Sequence, residues 1–524
     1  MKICDQFAAE DGLRLSILEE ARLCAALTKP WILPPENQNP DMKLPENYQS
    51  EGSRGITNME GRMLMALYPP DAPWFRLEVA PKYRYSGSLN DRQLQEIQQK
   101  LFIQELVIQA ALESVHLNPR SNGIAAGFRS NKRLSISHVL ITGDVLERLD
   151  DNYRLTVFRR DQYVTLRDSA GAVMHHIIKE RIDPLNLTDE QITKSKLDKE
   201  KLKAEQCADR MRDMYTLVEW QPWSKNWVVR QEINDEIIVE SQEPISPYFS
   251  TSYELVSGEN YGRGWIAQNL GDLRSLNTIN EKMLDFAAMA SKFLTFLDSN
   301  SEIQPKQLEE KSGSVIHGRV AGGQVQDVAF LKTDKFADFR VVFETAERIR
   351  KSLGSAMLME SAVQPTGDRV TATQVQRVAL ELEGALGGIY APIADEQQIP
   401  LLQRTRYQLQ RDKLIAPLPE GFVEIKGLNV ISALSREHDA ARVMEITAIV
   451  AQLPEEARAR IDYTVLVDVL ARYRRIDVPG LIKSPEQVRA EQQQMMQQQA
   501  AMAANEKAID VIGNVAEQAL TPGQ

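Results

Sequence analysis

The chain has 524 residues, 43% of them hydrophobic, and a formal net charge of −11. A chain of that length and composition buries a real core and is expected to fold as several packed modules around one elongated axis, which excludes a disordered protein. The acidic balance is opposite to that of a protein that grips phosphate backbones and suits an ordinary soluble surface.

The opening residues, MKICDQFAAEDGLRLSILEEARLCAAL, carry acids and read as an amphipathic helix, not as a cleaved secretory signal. The pattern stays mostly helical to about residue 130, with Leu94–Leu117 as its clearest helix. Tyr153–Ile182 then alternates: Leu155, Val157, Tyr163, Val164 and Val173 flank a DSAG turn at Asp168–Gly171, a hairpin signature. The charged run KSKLDKEKLKAEQCADRMRD is expected to form a solvated helix or a mobile link; its interleaved acids argue against a nucleic-acid patch. Tyr215–Val256 returns to strand composition, and its Trp220, Trp223 and Trp227 are assigned to the core.

After Gly264 two long helical patterns follow. Leu270, Leu273, Leu276, Ile279, Met283, Phe286, Ala290, Phe293 and Leu297 recur every three or four residues, and Phe336, Phe339, Phe343, Ala346, Ile349, Leu353 and Met357 do likewise. At about 1.5 Å per residue these helices are long enough to pack side by side with copies of themselves as a barrel wall. Gly313, Gly318, Gly322 and Gly323 lie between them among Val and Phe, which predicts short strands joined by turns. Gln364–Arg404 opens on a polar loop with Pro365 and Gly367; Thr371 and Gln374 have capping-box spacing, so a helix is expected to start near Thr371 and to kink or end at Pro392 and Pro400. A Pro-rich break at Pro417–Gly421 precedes helical patterns at Leu434–Leu453 and Ile461–Arg474. The Gln- and Ala-rich end after Ser484 has helix propensity without bulky core residues, which suits a bundle of many copies or a mobile tail.

The sequence holds no P-loop, H-E-x-x-H, G-x-S-x-G or C-x-x-C. No catalytic residue or cofactor is expected. Cys4, Cys24 and Cys207 have no metal-ligand spacing, and His175 and His176 sit in a predicted strand where they face opposite ways, so no metal site is expected. Gly262, Gly264 and Ala267 form a G-x-G-x-x-A before a helix, with Asp285 about twenty residues on. The segment before them is no buried strand, so a tight turn at the foot of the first long helix is the preferred reading over a dinucleotide site. No apolar run reaches the roughly 18 residues that cross a bilayer, since FAAMASKFLTFL is short and contains Lys292, and a cytosolic chain without a membrane partner is expected. Arg348, Arg350 and Lys351 cluster in the second long helix. Repeated around a ring they would form a positive band, or they serve the helix end and pair with Glu344 or Glu347.

Four segments carry a resemblance: YQSEGSRGITNMEGRMLMALYPPDAPWFRL from Tyr48, HVLITGDVLERLDDNYRLTVFRRDQYVTLRDSAGAVMHHIIKERI from His138, YGRGWIAQNLGDLRSLNTIN from Tyr261, and the acidic helix with Gly-Gly-Ile-Tyr and Glu-Gln-Gln-Ile-Pro-Leu before Arg404. In this order they resemble the portal, or head-to-tail connector, family of short-tailed phages over nearly the whole chain. The resemblance implies an α+β, mainly helical fold: a wing (1–265), a first stem helix (266–297), a clip (298–334), a second stem helix (335–359), a channel loop (360–370), a long kinked helix (371–416), a helical crown (417–482) and a tail (483–524). It also implies a homo-oligomeric ring, twelvefold in the family, at one capsid vertex of the virion, assembled in the host cytoplasm. Double-stranded DNA would pass through it, and a terminase motor, scaffold and major capsid proteins, and tail or adaptor proteins would be its partners. Gly367, Asp368 and Arg369 are the expected channel-loop residues, with Arg369 offering a fixed charge to DNA or pairing with Asp368 or a neighbouring subunit. The other readings are an adaptor or minor capsid protein that forms no ring, and a dinucleotide-binding enzyme.

Overall fold

The computed structural model describes residues 2–36, 43–69, 74–84, 91–114, 117–118, 123–124, 127–290, 295–297, 320–321, 324–325, 328–330, 336–359, 381–382, 384, 390–419 and 421–427. Helices α1 (Ile3–Leu13), α2 (Leu15–Ala26) and α3 (Glu51–Leu67) are followed by strand β1 (Phe75–Val79), α4 (Asp91–Glu113) and α5 (Phe128–Thr142). Next come β2 (Asp144–Leu149), β3 (Leu155–Phe158), β4 (Tyr163–Arg167), β5 (Val173–Ile182), β6 (Arg212–Gln221), β7 (Asn226–Ile233), β8 (Glu236–Glu243) and β9 (Tyr248–Ser252). The chain continues through α6 (Trp265–Gln268), α7 (Leu270–Ala290), α8 (Phe336–Ala356), α9 (Tyr390–Arg411) and β10 (Val423–Gly427). The fold is α+β. The first long helix was expected to reach Leu297, but Thr295–Leu297 is a strand that pairs antiparallel with Val328–Phe330, where ladder bonds to a distant segment replace the helix; Val320–Ala321 pairs likewise with Gln324–Val325.

Strands β4 to β8 form one antiparallel meander, and β9, β2 and β3 form a three-stranded sheet. Alternation along the meander decides which layer each residue joins, because successive side chains leave a strand on opposite faces. Tyr163, Ile178 and Val218 face Leu146, Phe158 and Tyr248 of the smaller sheet, whereas Val164, Ile177 and Leu217, each one step away, face Ile3 and Phe7 of α1. With both faces covered, neighbouring residues are both buried. His176 joins Thr165 at 2.9 Å, and His175 meets Glu10 of α1 at 2.7 Å. The carboxylate of Glu232 on β7 accepts from the amides of Ile3 and Cys4 at 2.8 and 3.1 Å, neutralising the positive end of α1 and seating it on the sheet.

The DSAG hairpin is present: Asp168 accepts from the amides of Ala170 and Ala172, and Gly171 turns at φ 85°. The charged run forms short helices at Asp189–Lys194, Lys199–Ala204 and Cys207–Arg210, with Leu202 buried beneath it. Trp227 leans on the core and Trp220 packs beside it at 5.5 Å, but Trp223 is 82% exposed. It stands on the turn between β6 and β7, where no sheet face points at a core. The helix expected to kink or end at Pro400 does not end there: α9 runs through it. Buried polar side chains hold α9 there, with Gln398 donating to the Leu67 carbonyl at 2.9 Å, Gln408 to that of Asp150 at 3.0 Å, and Arg404 to Glu243 at 2.8 Å. These tertiary bonds offset the hydrogen bond that the proline removes. The expected helix start at Thr371, the crown helices and the tail lie outside the described residues. Among the described residues no helix is long and apolar enough to cross a membrane.

Lys132 on α5 and Glu147 on β2 form an ion pair at 2.8 Å with both side chains fully buried. Burial pushes the Lys132 ammonium pKa down, and Glu147 opposes that shift. Removing one member strands the other charge. We expect Lys132→Met to cost about 3–5 kcal/mol in chemical denaturation, and Lys132→Met with Glu147→Leu to recover most of it. Burial also depresses the pKa of His176 to about 3, below that of an unfolded histidine. The unfolded chain therefore binds the extra proton first, and this contribution to stability is whole above about pH 6.5 and is lost as pH falls. The stability of the parent relative to His176→Gln should fall by about 1.4 kcal/mol per pH unit between pH 6 and 4. Denaturation midpoints of both proteins across that range test it.

Candidate functional site

The candidate site is the pair of long helices, α7 and α8, and the root that fixes them. The root begins where α5 ends. Gly143 caps that helix at φ 86°, and the chain turns directly into β2 at Asp144. The loop before α6 passes so close that a Cβ on Gly143 would stand 2.3 Å from the Gly262 carbonyl oxygen. Only glycine satisfies both the left-handed backbone and this approach.

Asp144 uses the same proximity. Its buried carboxylate accepts from the Ser252 hydroxyl at 2.5 Å and the Gly262 amide at 2.6 Å, with the Arg160 guanidinium 3.5 Å away. Burial pushes its pKa up, while Arg160, Ser252 and Gly262 favour the charged form. Arg160 lies 5.1 Å from the centroid of the Tyr261 ring, with the Arg14 guanidinium at 5.8 Å. Arg14 donates to the carbonyls of Arg160 and Tyr163, both at 2.5 Å, and the Tyr261 hydroxyl accepts from the Thr165 amide at 3.0 Å. The Gly262–Gly264 turn is thereby part of a packed joint. Asp285, the expected ribose ligand of the nucleotide reading, pairs with Lys282 at 3.1 Å. It stands about 30 Å further along the helical path from Gly264 at 1.5 Å per residue, far from that turn.

From this root Trp265 and Ile266 are buried, and so are Leu273 and Leu276 on the first turns of α7. Tyr48 braces the next turns: its amide donates to Asn277 at 2.8 Å and its carbonyl accepts from Asn280 at 3.0 Å. Further out Leu284 is 57% exposed. The returning helix α8 mirrors this, with Val341 64% and Phe343 50% exposed in its outer half and Ala346, Leu353 and Met357 buried toward its end. Apolar surface therefore extends beyond the body that a single chain provides.

The expected basic cluster divides. Arg348 and Lys351 are exposed and lie one turn apart on one face of α8. Arg350 turns the other way, paired with Glu51 of α3 at 3.1 Å and with Glu347. Glu344 pairs with Arg340 at 2.9 Å. Gly367, Asp368 and Arg369 lie outside the described residues. The sequence reading missed Asp144, Arg160 and Arg14; the GxG spacing at Gly262 marked one side of the joint, and nothing local marked the other.

Cys4, Glu232 and Asp235 bring potential ligand atoms within 4.8 Å of one another. Both Glu232 oxygens already accept from α1, Asp235 pairs with Lys2 at 2.6 Å, and desolvation with the adjacent acids pushes the Cys4 thiol up to about 11. A protonated thiol beside engaged carboxylates is a poor cation site.

A sequence model of the family described as bacteriophage head to tail connecting protein matches residues 3–478. The portal protein of Escherichia phage T7 is 28% identical over 511 residues, covering 95% of this chain and 91% of that protein. The portal protein of Enterobacteria phage T3 is 28% identical over 481 residues, covering 90% and 86%. Among solved structures, the neck of an empty GTA particle aligns with a TM-score of 0.37 at 10% identity over 77% of this chain and 87% of that one. The match along the chain, in the order of the motifs, places this protein in the bacteriophage head-to-tail connecting protein family.

Proposed function

We propose that the chain is the subunit of a portal, a closed ring of copies at one capsid vertex through which double-stranded genome DNA enters the head and later leaves. Family membership and the T7 and T3 portal relatives support this reading. The structural observation that carries it is the exposed apolar outer half of the α7–α8 pair, with Leu284, Val341 and Phe343 in water. Neighbouring copies would bury these side chains, and repetition of one such heterologous contact closes a ring. Twelve copies is the number the family resemblance implies.

In this reading Gly367, Asp368 and Arg369 line the channel, and Arg348 and Lys351 add a second basic position, with Arg350 serving the joint between α8 and α3. The net charge of −11 keeps the duplex from adhering along the wall. A separate terminase motor supplies nucleotide hydrolysis, and scaffold, capsid and tail or adaptor proteins complete the vertex. The subunit assembles in the host cytoplasm and resides in the virion.

Native mass spectrometry of the purified chain should show a large homo-oligomer. Val341→Asp with Phe343→Asp should shift it to monomers of unchanged circular dichroism, because both side chains are already at least half exposed in the single chain. A parent chain that stays monomeric at high concentration removes the portal reading. Arg369→Ala should leave rings intact and lower DNA packaging or retention. Broken rings in that variant would assign Arg369 to a contact between subunits, and normal packaging would remove it from the channel.

A further inference from the structure

The hairpin between β6 and β7 carries a tryptophan where a turn ordinarily carries polar residues. Trp223 is 82% exposed on the four-residue turn 222–225. The base of this turn is stiff. Trp220 and Trp227 face each other across the ladder with ring centroids 5.5 Å apart. Lys225 turns left-handed at φ 51°, and its amide donates to the Gln221 carbonyl at 2.9 Å. A large aromatic set out in water on a fixed backbone adds little to the fold of a single chain. Tryptophan is, however, among the residues most enriched as anchors of protein contacts, and a rigid mount lowers the entropy lost on binding.

Helix α2 is apolar on two sides. Leu18, Ala21 and Ala25 are buried against the body, whereas Leu15, Glu19, Leu23 and Ala26 follow at intervals of four, four and three residues and form an outer stripe. Leu15 and Leu23 are half-exposed. The stripe ends in an apolar cavity of about 420 Å³ lined by Leu23, Ala26, Leu33 and three prolines, Pro30, Pro35 and Pro45. Its walls are fixed: Arg22 pairs with Glu36 at 3.1 Å, and Asn47 donates to the Ala26 carbonyl at 2.7 Å. A second apolar face on a helix, ending in a preformed cavity, marks an interaction surface.

Three observations make a second copy of this chain the occupant. A ring closes through two different, complementary surfaces on each subunit, and this chain carries both a projecting anchor and a cavity able to take it. The charges match as well. Lys225 lies two residues from Trp223, and Glu19 lies one turn, about 6 Å, from Leu23; both are exposed, and neither has an ion-pair partner among the described residues. The cavity is also tied to the stem, since Pro45 stands three residues before Tyr48, which braces α7 at Asn277 and Asn280.

We propose that Trp223 of one subunit inserts into the α2 cavity of the next, with Lys225 pairing with Glu19 across the contact. This rests on the portal reading and adds an aromatic anchor to the apolar contact of α7 and α8. The indole displaces water from the cavity, and its exclusion strengthens the neighbouring charge pair relative to open solvent.

The test uses the full-length chain, with native mass spectrometry across a dilution series. Trp223→Ser should leave circular dichroism unchanged and raise the concentration at which rings half-dissociate by at least about ten-fold, the effect of losing one aromatic anchor. Leu23→Asp, on the other side of the contact, should do the same. Lys225→Glu and Glu19→Lys should each weaken the rings by roughly two- to five-fold, and the double variant should recover the parent behaviour. Both of these positions are exposed, so the charge exchange judges the contact even if Leu23→Asp folds poorly. Parent-like rings in Trp223→Ser, or a double exchange no better than either single one, overturn the proposal and leave the portal reading standing. Rings of unchanged stability in Trp223→Ser that no longer recruit capsid or tail proteins assign the tip to another partner and overturn it as well. A parent chain that stays monomeric overturns both.

Discussion

The placement of α7 depends on satisfying the Asp144 carboxyl group with hydrogen-bond partners inside the protein. A buried carboxylate without partners either takes up a proton or costs several kcal/mol. Asp144 offsets part of this cost by drawing the Ser252 hydroxyl, the Gly262 amide and the Arg160 guanidinium to one point. Those groups come from the end of β9, the loop before α6 and the turn after β3. Satisfying one charge therefore brings the end of α5, two sheets and the foot of α7 into a single arrangement, and the glycine at 143 makes the approach sterically possible.

The same logic recurs through the body. Lys132 and Glu147 join α5 to β2, and Glu60 on α3 receives Lys29 at 2.8 Å, Arg133 at 2.6 Å and the Ser137 hydroxyl. Apolar faces alone would let helices slide by a turn with little loss. Directional buried bonds do not, because each displaced donor or acceptor would be left without a partner. In the proposed ring this definition would matter for α7 and α8, since an error in their angle would be repeated at every contact between copies.

The stem also shows how one chain divides its apolar surface between folding and association. The root halves of α7 and α8 bury Leu273, Leu276, Leu353 and Met357 within the subunit. The outer halves leave Leu284, Val341, Val342 and Phe343 exposed. Burial of such side chains is worth roughly 1.5–3 kcal/mol each, enough for a few to drive assembly once the helices are held at a fixed angle. The polar root fixes the orientation of α7, and in the proposed ring the apolar outer half would supply the association energy.

The sequence was sufficient by itself where side-chain period or turn chemistry alone decides the local structure. Side-chain period and turn chemistry, which act over a few residues, determined the cores of the two long helices and the hairpin at Asp168–Gly171, while the family and the α+β class came from the resemblance of whole segments. The sequence misplaced features whose partners lie far along the chain. Pro400 does not end α9, because Gln398, Arg404 and Gln408 find acceptors in distant elements. Arg350 takes Glu347, the pairing the sequence offered as its alternative role, but its second partner Glu51, about 300 residues earlier, was not legible. Trp223 left the core because a turn carried it past the sheet. Asp144 was invisible for the same reason: its role exists only once Arg160, Ser252 and Gly262 surround it. Local periodicity determines which elements form, whereas the fate of a buried charge depends on which remote groups the tertiary fold brings within hydrogen-bonding distance, and only the tertiary structure decided that.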